Sequence, residues 1–168
     1  MDIALLILRL VVGLAFVAHG SQKLFGWFGG YGLAGTGGFF ESLGFRPGKL
    51  FAGAAGASEF LGGLLIAIGV GGPIGPALIV ATMVTAALSV HVKNGFFAPN
   101  GIELNLVYAA ASVALALVGF GAYAVDAALG VSALWTPAIA WALLAVGVLA
   151  GLANLAARRK APQAATQA

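Results

Sequence analysis

The sequence predicts an all-α fold, a polytopic membrane helix bundle, on three observations. Hydrophobic residues fill 61% of its 168 positions and charged residues only 8%, with a mean hydropathy of +1.05. Five apolar stretches approach the ~20 residues with which a helix crosses roughly 30 Å of hydrocarbon. Every Lys and Arg except Arg9 lies at the ends of those stretches, or in the loops and tail, on one side. A soluble globular chain carries roughly 25% charge, so an ordinary soluble enzyme and a disordered tail are both excluded. The pI of 9.6 does not indicate nucleic acid, because Lys and Arg form no dense stripe with stacking aromatics. With no cysteine, the chain can supply no dithiol relay, thiolate metal site or disulfide.

The first span runs from Ile3 to about Leu24, interrupted by Arg9 and His19. Its acidic start, Met1-Asp2, and the poor cleavage site around His19 distinguish it from a signal peptide. The second runs from about Gly48 to Ile68, with Pro47 at a favoured start and Glu59 near its middle. Gly71-Gly72-Pro73-Ile74-Gly75-Pro76 makes a tight reversal into the third span, about Ile74 to Val92. That span carries Thr82, Thr85 and Ser89, whose hydroxyls can bond back to their own helix, before His91. Asn94-Gly95 and Ala98-Pro99-Asn100-Gly101 lead to the fourth span, about Ile102 to Phe120. The fifth runs from about Thr136 to Ala157, after a short segment holding Asp126 and interfacial Trp135. Residues 158–168 read as a polar, basic, disordered tail. Between the first two spans, Thr36 is expected to cap an interfacial helix near 37–43, with Phe39, Phe40 and Leu43 on one side and Glu41 on the other.

Five spans put Lys23, Arg46, Lys49, Lys93, Arg158, Arg159 and Lys160 on one side, which the positive-inside rule makes cytoplasmic. The expected location is the cytoplasmic (inner) membrane, multi-pass, N-terminus outside and C-terminus inside. Small-residue runs such as Ala52 to Ala57, and the Gly147 to Gly151 spacing, favour close helix contact within one bundle. A homo-oligomer through the fifth span is the second reading of that spacing.

Unpaired in lipid, Arg9 and Glu59 would each cost at least about 2.5 kcal/mol. Both are therefore expected to face the interior and to form a buried ion pair. It would serve either as a pin fixing helix register or as part of a polar pocket. A second group converges from three helices at the inner surface: His19 and Lys23 on one face, His91, then Glu103, Asn105 and Tyr108. These six are the candidate ligand-binding residues. They are scattered singly, without the paired spacing of a metal site, and no metal or nucleotide is expected. His19 and His91 are the one pair at matched depth for clamping a haem, which an absorbance spectrum would show. Asp126 reads as a cap for the short segment after Ala124-Val125, or as a partner for Arg9.

Several stretches together resemble one family. Arg9, Phe16-Val17-Ala18-His19-Gly20-Ser21-Gln22-Lys23-Leu24-Phe25-Gly26, Gly32-Leu33-Ala34-Gly35-Thr36 and Phe39 to Phe45 are similar to the first segment of DoxX family membrane proteins. Glu59-Phe60-Leu61-Gly62-Gly63, His91 to Phe97, Glu103 and Gly119 to Tyr123 leading to Asp126 extend the match across about residues 3 to 130. The resemblance implies a four-helix membrane core over 1–130, with 131–157 as an additional transmembrane helix. It also implies an association with quinone-linked oxidoreductases, including thiosulfate oxidation, and with resistance to quinones, catechols and oxidative stress. Fold-level likeness assigns no substrate.

The expectation is a small subunit in the lipid bilayer that binds a lipid-soluble quinone and associates with a peripheral redox protein on the cytoplasmic side. In it, His19 and His91 exchange protons with the head group while Lys23 and Asn105 bond its oxygens. The rival reading is a non-catalytic scaffold or small-solute carrier; against carriage stands the lack of a clear internal repeat and of a pair of broken spans in matching positions.

Overall fold

The computed structural model describes residues 1–159; the tail beyond them, including Lys160, lies outside the described residues. Among these, regular structure is entirely helical: α1 (Asp2–Phe25), α2 (Gly32–Ser42), α3 (Gly48–Ile68), α4 (Ile74–Ala86), α5 (Glu103–Val118), α6 (Val125–Ala128) and α7 (Pro137–Ala156). A π-helical turn, Ala87–His91, and a 3-10 turn, Val92–Asn94, continue α4. Four helices are long and apolar enough to cross a membrane: α1, α3, α4 with its continuation, and α7. Their outward faces carry large apolar side chains such as Ile7, Val11, Leu14, Leu61, Val146 and Leu149, as lipid contact requires.

The expected fourth span is shorter than its sequence suggested. α5 has 16 residues, about 24 Å at 1.5 Å per residue. At its start, the otherwise free Glu103 N–H donates to the Phe96 carbonyl oxygen at 2.8 Å and the Glu103 carboxylate accepts the Ala98 N–H at 2.8 Å. Gly119, at φ 86°, ends it. α5 nevertheless traverses the bundle. One end lies beside His91 and Asn100, and just past the other, the Ala122 N–H donates to the Asp2 carboxylate at 3.0 Å.

Glycines set the register. A Cβ on Gly13 would meet Gly63 O and Ala67 N at 2.6 Å, and one on Gly20 would meet Phe60 N at 2.5 Å, so α1 and α3 run antiparallel almost backbone to backbone. α3 and α4 meet in the same way, with Gly62 O 2.8 Å from a Cβ on Gly75. Gly147 and Gly151 face Ala77 and Ala81 of α4, so the spacing suggestive of a homo-oligomer is occupied within the chain. Val12, Phe16, Ile66, Ile79, Met83 and Leu115 fill the core between these helices.

The interfacial helix is longer than expected and is not capped by Thr36. It begins at Gly32 after Tyr31, and Thr36 is buried in its middle. The reason is α2's seat on α3: Gly37 lies close to Lys49, leaving a Cβ only 3.0 Å from its backbone. Glu41 accepts the Gly48 N–H at 3.0 Å, satisfying a free donor at the start of α3.

Candidate functional site

Lys23, Arg46, Lys49, Lys93, Arg158 and Arg159 all stand at the same end of the bundle, which the helix directions make one surface. Just beneath it, between α3 and α4, lies a cavity of about 360 Å³. Its origin is in the sequence. α3 presents Ala54, Ala55 and Ser58, α4 presents Ala81, Thr82, Thr85, Ala86 and Ser89, and none is large enough to fill the gap. Phe39, Phe40, Leu43 and Phe45 cover it from α2 and the following loop, Phe51 stands in the α3 wall, and Asn154 enters from α7. Phe40, Phe45 and Phe51 form a run of tilted rings 5.5 and 5.4 Å apart.

The polar part of this wall is an ion pair. Lys23 Nζ donates to Glu59 Oε2 across the α1–α3 contact, and both residues line the cavity. The glutamate side chain is 6% exposed, that of the lysine 26%. The hydroxyls of Thr82, Thr85 and Ser89 donate to carbonyl oxygens one turn earlier, so their lone pairs, not their protons, face the space. His91 bonds the Asn100 carbonyl oxygen through Nδ1 at 2.8 Å. A carbonyl can only accept, so Nδ1 carries the hydrogen and Nε2 is left to take or give a proton. The π-helical turn that ends at His91 is a distortion often found beside ligand sites.

The structure therefore divides the six expected ligand residues. Lys23 and His91 line the cavity. Glu103 secures the α4–α5 loop, and Asn105 is buried in the core with its amide 3.6 Å from Met83 Sδ. His19 and Tyr108 lie together against Phe16, with ring centroids 6.4 Å apart for the pair and 5.0 Å from Phe16 to Tyr108.

The expected Arg9–Glu59 pair is not formed. The glycine register sets Arg9 beside Ala67, eight residues past Glu59 along α3, about 12 Å away by helical rise. Arg9 is buried and donates to the Ala67 carbonyl oxygen at 3.2 Å and to that of Tyr123. Ala67 is in the last turn of α3, where the helix dipole favours a cation. Asp126 neither caps its own segment nor meets Arg9. Its carboxylate accepts from Gly71 N–H at 3.1 Å and Gly72 N–H at 2.8 Å, two successive donors presented by left-handed glycines at φ 77° and 48°.

Sequence reasoning missed the phenylalanine wall and Asn154 as site residues. The available signal was the facing of small residues on the second and third spans, legible only once their register is known. Among the described residues no group of three His, Asp or Glu side chains is placed to hold a metal ion.

Comparison with known proteins places the chain beside a family and a relative. The DoxX family model covers residues 4–92, just over half of the chain. A protein of Bacillus subtilis (strain 168) named "Putative oxidoreductase CatD" is 30% identical over 125 residues, 74% of this chain and 86% of that one. No solved structure matches.

Proposed function

Since this chain belongs to the DoxX family of membrane proteins, we propose that its cavity holds a lipid-soluble, quinone-like aromatic for an oxidoreductase acting at the inner membrane surface. The observation that carries this reading is the pairing of a phenylalanine-covered cavity with an ion pair in its wall. A volume of about 360 Å³ falls within the roughly 300–1,000 Å³ of small-molecule sites. Its mixture of apolar surface with a few polar groups suits a flat ring bearing oxygens. The name of the Bacillus subtilis relative supports the oxidoreductase link.

A quinone, when bound, supplies reversible two-electron, two-proton chemistry. The chain's part is to bind and to manage protons. Phe40, Phe45 and Phe51 receive the ring, the Lys23 ammonium donates to a ligand oxygen, and Glu59 holds a proton released beside it. His91 Nε2, near the surface, passes protons to water. The cost of a buried carboxylate is offset by Lys23 while the site is empty. A peripheral redox protein would dock at the basic surface around Arg46, Lys49 and Lys93, with the N-terminus on the opposite, outer side of the membrane.

The test is the quinone content of gently solubilised, purified protein beside an unrelated membrane protein from the same cells. Near one quinone per chain, lost in Glu59→Gln, is the expected result. Background quinone in both samples would overturn the reading in favour of a scaffold.

A further inference from the structure

α7 lies beyond the residues that the family model matches, yet it packs behind the α4 wall of the cavity and contributes one residue to the lining. Gly147 and Gly151 bring its backbone against α4, where a Cβ would sit 2.5 Å from the Ala77 carbonyl oxygen or 2.8 Å from that of Ala81. The one hydroxyl hydrogen of Thr85, in the cavity wall, is shared between the Ala81 and Gly151 carbonyl oxygens, 2.9 and 3.2 Å away. One turn further on, Asn154, exposed on its other side, is itself one of the cavity's lining residues.

At the end of α7 the chain grips the cavity's cover. Arg158 Nε donates to the Leu43 carbonyl oxygen at 2.8 Å, and the Arg159 N–H donates to that of Gly44 at 2.8 Å. The Arg158 guanidinium also lies 5.4 Å from the centre of the Phe45 ring, a cation–π distance. Leu43 and Phe45 both line the cavity, so the loop held by Arg158 is its roof.

We propose that α7 is the closing wall of the ligand site: the Asn154 carboxamide hydrogen-bonds an oxygen of the quinone-like ligand, and Arg158 latches the 43–45 loop over it. The Asn154 part rests on the reading of the cavity as a quinone-like site; the latch does not. A carboxamide can both donate and accept, so it suits a ligand whose oxygen is a carbonyl in one redox state and a hydroxyl in the other. Arg158 is exposed, so breaking its contacts should free the roof without unfolding the bundle.

Because the chain contains no cysteine, Ser58→Cys places a single thiol in the cavity wall with little change of shape. Its labelling by a membrane-impermeant maleimide, in the full-length purified protein, reads the roof without any ligand. Arg158→Gln should raise the labelling rate at least about fivefold, with Arg158→Lys between the two. An unchanged rate overturns the latch, and so does loss of folded protein in both variants, since a latch is dispensable for the fold. Equilibrium dialysis with decylubiquinone tests the other part. Asn154→Leu should raise Kd about tenfold, which corresponds to one hydrogen bond. Equal binding by the variant and the unaltered protein overturns the role of Asn154. No binding by the unaltered protein overturns it together with the quinone reading, while the labelling result still decides the latch.

Discussion

Lys23 is the partner of Glu59, and the bond between them crosses the α1–α3 contact at a point where the lysine is a quarter exposed and the glutamate almost wholly enclosed. The asymmetry makes the glutamate the vulnerable member. Lys23→Met would strand a buried carboxylate, and the expected loss is toward the lower end of the about 3–5 kcal/mol for breaking a buried pair. Glu59→Gln should cost less, because a lysine can reach water by extending. Thermal unfolding in detergent, followed by the fraction of monodisperse protein, checks the order.

Arg9 belongs to the opposite end of the bundle. Arg9→Met removes its bonds to the Ala67 and Tyr123 carbonyl oxygens and should destabilise by about 1.5–3 kcal/mol for each charged hydrogen bond lost. Ligand retention in the protein that still folds should be unaltered. A variant that folds as well as the parent but loses bound quinone would place Arg9 in the site.

The glycines are separable by what surrounds them. Gly13→Val should abolish the folded bundle, since even a Cβ comes within 2.6 Å of α3 backbone. Gly38→Ala, inside α2 with nothing within 4 Å of the new atom, should stabilise by about 0.5–1 kcal/mol through helix propensity. Paired melting curves suffice as the test.

The two histidines should part company in quinone retention. His91→Ala is expected to lower it severalfold, as a residue lining the cavity, whereas His19→Ala, at a ring edge-on to Tyr108, should leave it within about twofold of the parent. The reverse order would move the site to the α1–α5 groove.

Orientation is open to a reporter fused after Arg159. It should be active when it requires the cytoplasm and silent when it requires the outer side, in keeping with the basic residues gathered at that end. Activity on the outer side alone would invert the topology.

The fold was legible where it depended on local signals. Hydropathy marked the spans, Pro47 and the Gly71 to Pro76 reversal marked their ends, and the boundaries of α3 coincide with those expected. The cavity was not legible, because it depends on how far one helix slides along another. Arg9 and Glu59 looked like partners when both spans were measured from a common membrane surface. The backbone contacts at Gly13, Gly20 and Gly63 fix a different register, and with it Lys23 replaces Arg9. The same register gathers Ala54, Ser58, Ala81 and Thr85 around one space, where the sequence alone shows only small residues in two separate spans.

Asp126 closes the α3–α4 turn from 54 and 55 residues further along the chain, and Tyr123 supplies the second acceptor for Arg9 from a distance of 114 residues. During synthesis the first four helices therefore exist before the groups that complete the end of the bundle opposite Lys23. At about 5–20 residues per second, the glycine turn waits roughly 3–11 s for its carboxylate. For that interval a nascent bundle carries unsatisfied backbone donors and a half-bonded arginine, so the ribosome releases a structure that is sealed from its last third backwards.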